Sequence, residues 1–259
     1  MNIKIIVATH KPYRMPKDDM YCPIHVGHAL KNDFGFQGDD TGENISEKNA
    51  NYCELTGLYW AWKNLDADYL GVVHYRRHFS VREGKNRFAR ILTRSEAEKL
   101  LKSSDVLLPK PRNYYIETNY SQYAHAHHAI DLDKTRDILS EKYPDYVETF
   151  DRVMKSTKGH RFNMFIMIRE KADAYCAWLF DVLFELERRL DISQYSFNDA
   201  RVFGFVSERL LDVWLETNKI TYLEIPYIFM ENENWLRKGT AFLKRKFVKP
   251  QVEKRRIKA

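Results

Sequence analysis

Residues 69–79 read YLGVVHYRRHF, an apolar run closed by His74-Tyr75-Arg76-Arg77-His78. From Tyr69 to Val73 every residue except Gly71 is β-branched, aromatic or aliphatic. A strand with no polar face has to be covered on both sides, as in the middle of a parallel sheet. In open α/β sheets, ligands sit beyond the carboxyl ends of the strands. Two arginines at that position, flanked by imidazoles and a phenol, form an anion-binding group, because the planar guanidinium matches phosphate oxygens in bidentate geometry. An ion-paired strand end at the surface is the plainer alternative. The paired arginines point to a phosphate or diphosphate ligand.

On the N-terminal side, Ile3–Ala8 (IKIIVA) reads as a first parallel strand followed by Thr9-His10-Lys11-Pro12, and 21–26 as a weaker second strand. The Gly/Asp/Asn-rich stretch 32–46 has no periodicity, and an irregular loop of that length inside a domain is more often functional than accidental. Ser46 is a natural N-cap for a helix over 47–65, whose Leu55, Leu58, Tyr59 and Trp62 make an apolar face for the sheet. On the C-terminal side, the pattern predicts a short helix over 96–103 capped by Ser95 and a strand at 105–108. A helix over 118–140, a strand at 162–168, helices over 170–190 and 198–217 and a strand at 221–228 follow. Strands alternating with helices imply an α/β fold, a mostly parallel sheet flanked by helices. With no repeat and no Pro/Gly/Ser linker, one domain is expected over 1–237, followed by a basic tail, 238–259.

The 259-residue chain is 44% hydrophobic, enough for a sizeable core. Its net charge of +6 is local in origin: 243–259, LKRKFVKPQVEKRRIKA, holds eight Lys/Arg and one Glu. Three scattered cysteines suit a reducing compartment. No stretch resembles a signal peptide, and none approaches the ~18 apolar residues of a spanning helix, so a cytoplasmic protein is expected. Phe242, Leu243, Phe247, Val248 and Val252 among the tail's cations suit the inner face of an anionic membrane, although Pro250 interrupts any helix there.

There is no Gly-x-Gly-x-x-Gly, Walker, Gly-x-Ser-x-Gly or His-Glu-x-x-His sequence, which argues against dinucleotide, P-loop, serine hydrolase and zincin chemistry. A nucleotide-sugar enzyme remains. Asp66-Ala67-Asp68 precedes the 69–74 strand and so stands at the wrong end of it to hold a metal on a diphosphate. Cationic side chains can stabilise a leaving diphosphate without metal, so no cofactor is expected. Manganese or magnesium held by Asp39-Asp40 is the alternative. His125 and His128 lack a third zinc ligand at close spacing. Arg201, Glu208 and Asp212 fall together on one face of the last helix, where a carboxylate could serve as general base and Arg201 could tune it or bind phosphate. An ordinary ion-paired face is the alternative.

Four further groups of residues accompany these features. They are Asn44-Ile45-Ser46 with Asn49 and Tyr52–Asn64 (YCELTGLYWAWKN), Tyr123 with His127-His128 and Asp131-Leu132, Asn163–Met167 (NMFIM), and Gly204-Phe205 with Glu208–Leu211. Together with His74–Arg77 they resemble the domain-of-unknown-function family numbered four-four-two-two, over residues 2–230. That family occurs in bacterial capsule and exopolysaccharide gene clusters and is grouped with glycosyltransferases. The resemblance implies a GT-A-like fold, a UDP-sugar donor and a lipid-linked glycan acceptor, and some relatives are associated with inverting galactofuranose transfer.

Taken with the strand-end position, the donor side is expected to comprise Thr9, His10, Lys11, Asn44, Asn49, His74, Tyr75, Arg76, Arg77 and Arg201. Glu208 is the expected base, with His127, His128 and Asp131 as acceptor contacts or alternative bases and Asn163 also on the acceptor side. A non-catalytic nucleotide-sugar or glycan-binding subunit would keep the arginine site and need no base. A nucleic-acid partner would rest only on the tail and the aromatics, and none is expected.

Overall fold

The computed structural model describes residues 1–231, so the expected boundary at 237/238 and the basic tail lie outside the described residues. In chain order the elements begin with β1 (Ile3–Thr9), β2 (Tyr21–His25), β3 (Gln37–Gly38), α1 (Asn49–Tyr52), α2 (Leu55–Asn64), β4 (Tyr69–His74) and β5 (Arg77–Phe79). They continue with α3 (Arg94–Leu101), β6 (Val106–Pro109), β7 (Arg112–Asn113), α4 (Asn119–Ala126), α5 (Ala129–Lys142) and α6 (Val147–Lys155). The last are β8 (Lys158–Gly159), β9 (Phe165–Ile168), α7 (Arg169–Arg189), α8 (Val202–Thr217), β10 (Leu223–Ile225) and β11 (Tyr227–Phe229).

The main sheet runs β10-β6-β9-β4-β1-β2-β3, with β5 and β11 added beside the end of β4. β4 lies in the middle, parallel to β1 on one side and antiparallel to β9 on the other. Its two faces feed separate cores. Leu70 and Val72 pack with Ile6 and Ala8 against α2, α7 and α8, whereas Tyr69 and Val73 pack with Ile5, Val7 and the α3 residues Ala97 and Leu101. That two-sided burial is what an all-apolar strand requires. Gly71 is needed at the centre, because a Cβ there would lie 3.0 Å from both the Ile5 side chain and the Phe165 carbonyl oxygen.

Several boundaries differ from the sequence reading. The expected 47–65 helix is broken at Cys53, whose φ of 55° stops α1 and starts a new helix, α2. Ser46 does not cap it; its hydroxyl donates to the buried Asp39 carboxylate instead. Thr93, not Ser95, caps α3, in a reciprocal capping box with Glu96. The 118–140 helix splits at extended His127 and His128, and α6 was not anticipated. The expected 162–168 strand starts only at Phe165, because Phe162 and Asn163 both take left-handed backbone angles. The His74–Arg77 segment is a tight hairpin: His74 pairs with Arg77, leaving Tyr75 and Arg76 as the two-residue turn.

Candidate active site

A cavity of about 760 Å³ opens beyond the carboxyl ends of β1 and β4. The hairpin contributes all four of His74, Tyr75, Arg76 and Arg77, and β1 runs into His10 at its rim. The kink at Cys53 turns Asn49, Cys53 and Glu54 towards the space, and the start of α8 supplies Arg201, Gly204, Phe205 and Glu208. Lys31, Phe162 and Phe197 complete the wall, with Phe197 92% exposed at the mouth.

The cavity is positive at one end. Burial lowers the His10 pKa, and the charges of Lys31, Arg76, Lys11 and Arg201 lower it further, so its imidazole is neutral at pH 7 in a cationic field. The Arg77 guanidinium is held over the Phe162 and Phe229 rings, 4.2 and 4.9 Å from their centroids. Arg201 donates from Nε to Cys53 Sγ at 3.2 Å and lies over Phe205. Burial pushes that thiol's pKa up to about 11, so Cys53 is not a thiolate nucleophile.

Two carboxylates face these cations. The Phe162 amide N–H donates to Glu208 Oε1 at 3.1 Å, and Arg209 reaches Oε2 at 3.2 Å. Glu54, which sequence reasoning quoted inside a motif but gave no role, accepts from Asn163 Nδ2 at 2.7 Å and lies 4.0 Å from His74 Nε2. Burial lowers the His74 pKa, and its Nε2 lies 2.5 Å from the Phe162 carbonyl oxygen. A carbonyl only accepts, so Nε2 carries the proton. No pattern in the sequence marked Glu54: it is the helix break just before it, at Cys53, that aims its side chain at the cavity.

The other expected residues divide sharply. Asn49 lines the cavity and braces its wall, accepting from Lys31 Nζ at 2.6 Å and donating to the Cys53 carbonyl at 2.7 Å. Thr9 is buried with its hydroxyl on the Lys11 carbonyl, and Lys11 lies near the rim, paired with Glu231. Asn44 is spent on its own loop, bonding the Gly42 carbonyl and the Ser46 amide. Asn163 is 2% exposed and positions Glu54 from behind while accepting from Ser207.

Asp131 is buried, accepting from the hydroxyls of Tyr123 (2.7 Å) and Tyr195 (2.6 Å), so it cannot meet an acceptor. Burial raises its pKa. His127 and His128 do not line the cavity: His127 bonds Asp199 at 3.0 Å and stacks on Phe205, and the half-exposed His128 stacks on Tyr195. Asp212 shares the helix face of Glu208 but not the cavity: the 160–161 segment takes it, with the His160 ring at 2.5 Å beside Arg161. Asp39 is not placed to take a metal: it is buried and accepts the Gly27 and His28 amides and the Ser46 hydroxyl.

The sequence matches the family described as Domain of unknown function (DUF4422) over residues 4–219. No curated protein matches it. Among solved structures, the fold matches an apo structure titled WbbM bifunctional glycosyltransferase, with 31% identity and a TM-score of 0.83. The match covers 90% of this chain and 46% of that one, so the chain spans about half the length of that relative.

The corner that carries Phe162 rests on Asp212, which pairs with Arg161 and is hydrogen-bonded by His160. Asp212→Ala would leave the Arg161 charge, 3% exposed, without its carboxylate. Breaking such a pair costs about 3–5 kcal/mol. Urea unfolding is expected to show that loss; an unchanged midpoint would contradict it.

Proposed function

The chain belongs to the DUF4422 family, and on that premise we propose that it is a glycosyltransferase moving a hexosyl group from a UDP-sugar to a lipid-linked glycan. The observation that carries the reading is one cavity, at the strand ends, holding Arg76, Arg77, Arg201 and Lys31 together with Glu54 and Glu208. Cations alone would serve a binding subunit. Two carboxylates kept beside them add a means of moving a proton, and the likeness to a bifunctional glycosyltransferase over most of this chain supports transfer as the reaction.

In this reading the donor diphosphate lies against the hairpin arginines, with Arg201 opposite. As the bond to the anomeric carbon breaks, negative charge builds on the diphosphate, and the preset guanidinium groups stabilise it. These cations stand where an Asp-x-Asp would hold a metal, so the chemistry needs no divalent ion on the diphosphate. Inverting displacement requires a base within hydrogen-bond reach of the acceptor hydroxyl. Glu208 is that base: the Phe162 amide fixes one carboxylate oxygen and the acceptor approaches from the Phe197 side of the mouth. Glu54, tied to Asn163, adds a second carboxylate 4.0 Å from His74, whose ring is held by the Phe162 carbonyl. The galactofuranosyl group is one hexosyl candidate, suggested by the family rather than by any residue of the cavity.

Arg77→Ala is expected to weaken UDP binding by about 1.5–3 kcal/mol, the scale of a charged hydrogen bond. Calorimetric titration of the wild type should give the same affinity with and without manganese. Unaltered affinity in the variant, or strict manganese dependence in the wild type, would remove this assignment.

Glu208→Gln is expected to abolish transfer while leaving UDP affinity intact, since it removes only the proton acceptor. Glu54→Gln should retain measurable turnover. The reverse ranking in a nucleotide-sugar transfer assay would move the base to Glu54.

Among the described residues no helix is long and apolar enough to cross a membrane. The acceptor's lipid would instead be met by the basic 241–259 segment, each exposed Lys or Arg contributing on the order of 1 kcal/mol at an anionic surface. The full chain should co-sediment with anionic vesicles at low salt and a truncation ending at Arg237 should not. Equal sedimentation of the two would leave the tail without that role.

A further inference from the structure

His25, at the end of β2, is fully buried, yet neither of its ring nitrogens has a hydrogen-bond partner among the described residues. A buried polar group without a partner calls for an explanation. Two further side chains close around it. One ligand atom each from His25, His28 and Asp33 lie within 4.8 Å of one another. The Phe34 ring covers His25, its centroid 3.8 Å away.

The distances around His28 are those of a ligand. Its Nδ1 donates to Asp40 Oδ2 at 2.8 Å, so Nε2 is the nitrogen a metal would take, in exchange for any proton it carries. Nε2 lies 3.6 Å from Asp33 Oδ1. The separation is too long for a hydrogen bond. It matches the roughly 3.4 Å between neighbouring ligand atoms of a tetrahedral zinc with bonds near 2.1 Å. The Asp40 bond is also the support that metal-bound histidines receive from an outer carboxylate. Gly38 makes room for that support, because a Cβ there would collide with the His28 ring and the Asp40 carboxylate.

We propose that His25, His28 and Asp33 form a zinc site, with a water as fourth ligand on the exposed Asp33 side. Two imidazoles and a carboxylate suit zinc better than magnesium or calcium, which take oxygen ligands. The site is separate from the diphosphate chemistry. The residues between its two histidines, Val26 and Gly27, and Leu30 and Lys31 just beyond, line the substrate cavity. A bound zinc therefore staples the loop that forms one wall of that cavity.

The test uses the tag-free full chain, stripped with a chelator and dialysed, and reads metal binding rather than transfer. It is independent of the proposed reaction. The stripped chain should take up one equivalent of zinc at micromolar concentration and melt at a higher temperature with it. Cobalt in its place should show the intense visible bands of a tetrahedral site. His28→Gln and Asp33→Asn, both at positions open to solvent, should lose the uptake, the thermal shift and the cobalt bands. Asp40→Asn should weaken zinc affinity about 10–100-fold, as loss of an outer-shell partner does. A wild-type chain that takes up no zinc, or variants that bind it as tightly as the wild type, would overturn the proposal.

Discussion

The amide N–H of Phe162 donates to Glu208 and its carbonyl oxygen lies against His74, while the next residue, Asn163, holds Glu54. One turn of backbone thus orients three of the cavity's polar side chains, and these come from β4, the kink before α2, and α8. The turn is possible only because Phe162 and Asn163 accept left-handed backbone angles of φ 74° and 52°. Such conformations are costly for residues other than glycine and persist where the surroundings over-determine them. Here the surroundings are explicit. His160 and Arg161 are anchored to Asp212, Arg161 also reaches Asn119 and the Glu208 carbonyl, and Asn163 is tied to Gly204 and Ser207.

The same turn explains why β9 runs antiparallel in an otherwise largely parallel sheet. The chain arrives at the carboxyl edge from α6, must place residues 160–163 there, and can only leave downwards through the gap between β4 and β6. A parallel strand in that gap would begin at the opposite edge and bring no backbone groups to the cavity at its start. The antiparallel direction and the polar corner are two consequences of one path.

A second break does similar work. At Cys53 the helix stops and restarts, and Asn49 spans the break by bonding the Cys53 carbonyl and the Thr56 hydroxyl. The kink turns Glu54 to the cavity while Leu55 and Leu58 stay in the core. Glu54 therefore directly follows a strained residue, whereas Glu208 stands within α8 and is met by the strained turn at Phe162.

How much of this was legible in the chain follows from the range of the forces involved. The apolar content of 69–73 dictates burial on both faces, and the alternation of strands and helices dictates layers, because both are local patterns of hydrophobicity. The placement of His74–Arg77 at the carboxyl edge followed from the same patterns, while Arg201 and Glu208 were singled out by their spacing on one helix face and by the family resemblance; all of them line the cavity. Asp131, Asp212, His127 and His128 were misplaced for one reason: spacing gives the face of a helix but not what packs against it. Tyr123 and Tyr195 enclose Asp131, and the 160–161 segment captures Asp212. The composition and periodicity of this sequence determined a two-core α/β sheet with arginines at its ligand edge. That Glu54 joins Glu208 beside those arginines, and that Asp131 and Asp212 do not, was decided only in the tertiary structure, by positive-φ turns at Cys53, Phe162 and Asn163 whose cost is met by hydrogen bonds from residues far away in the chain.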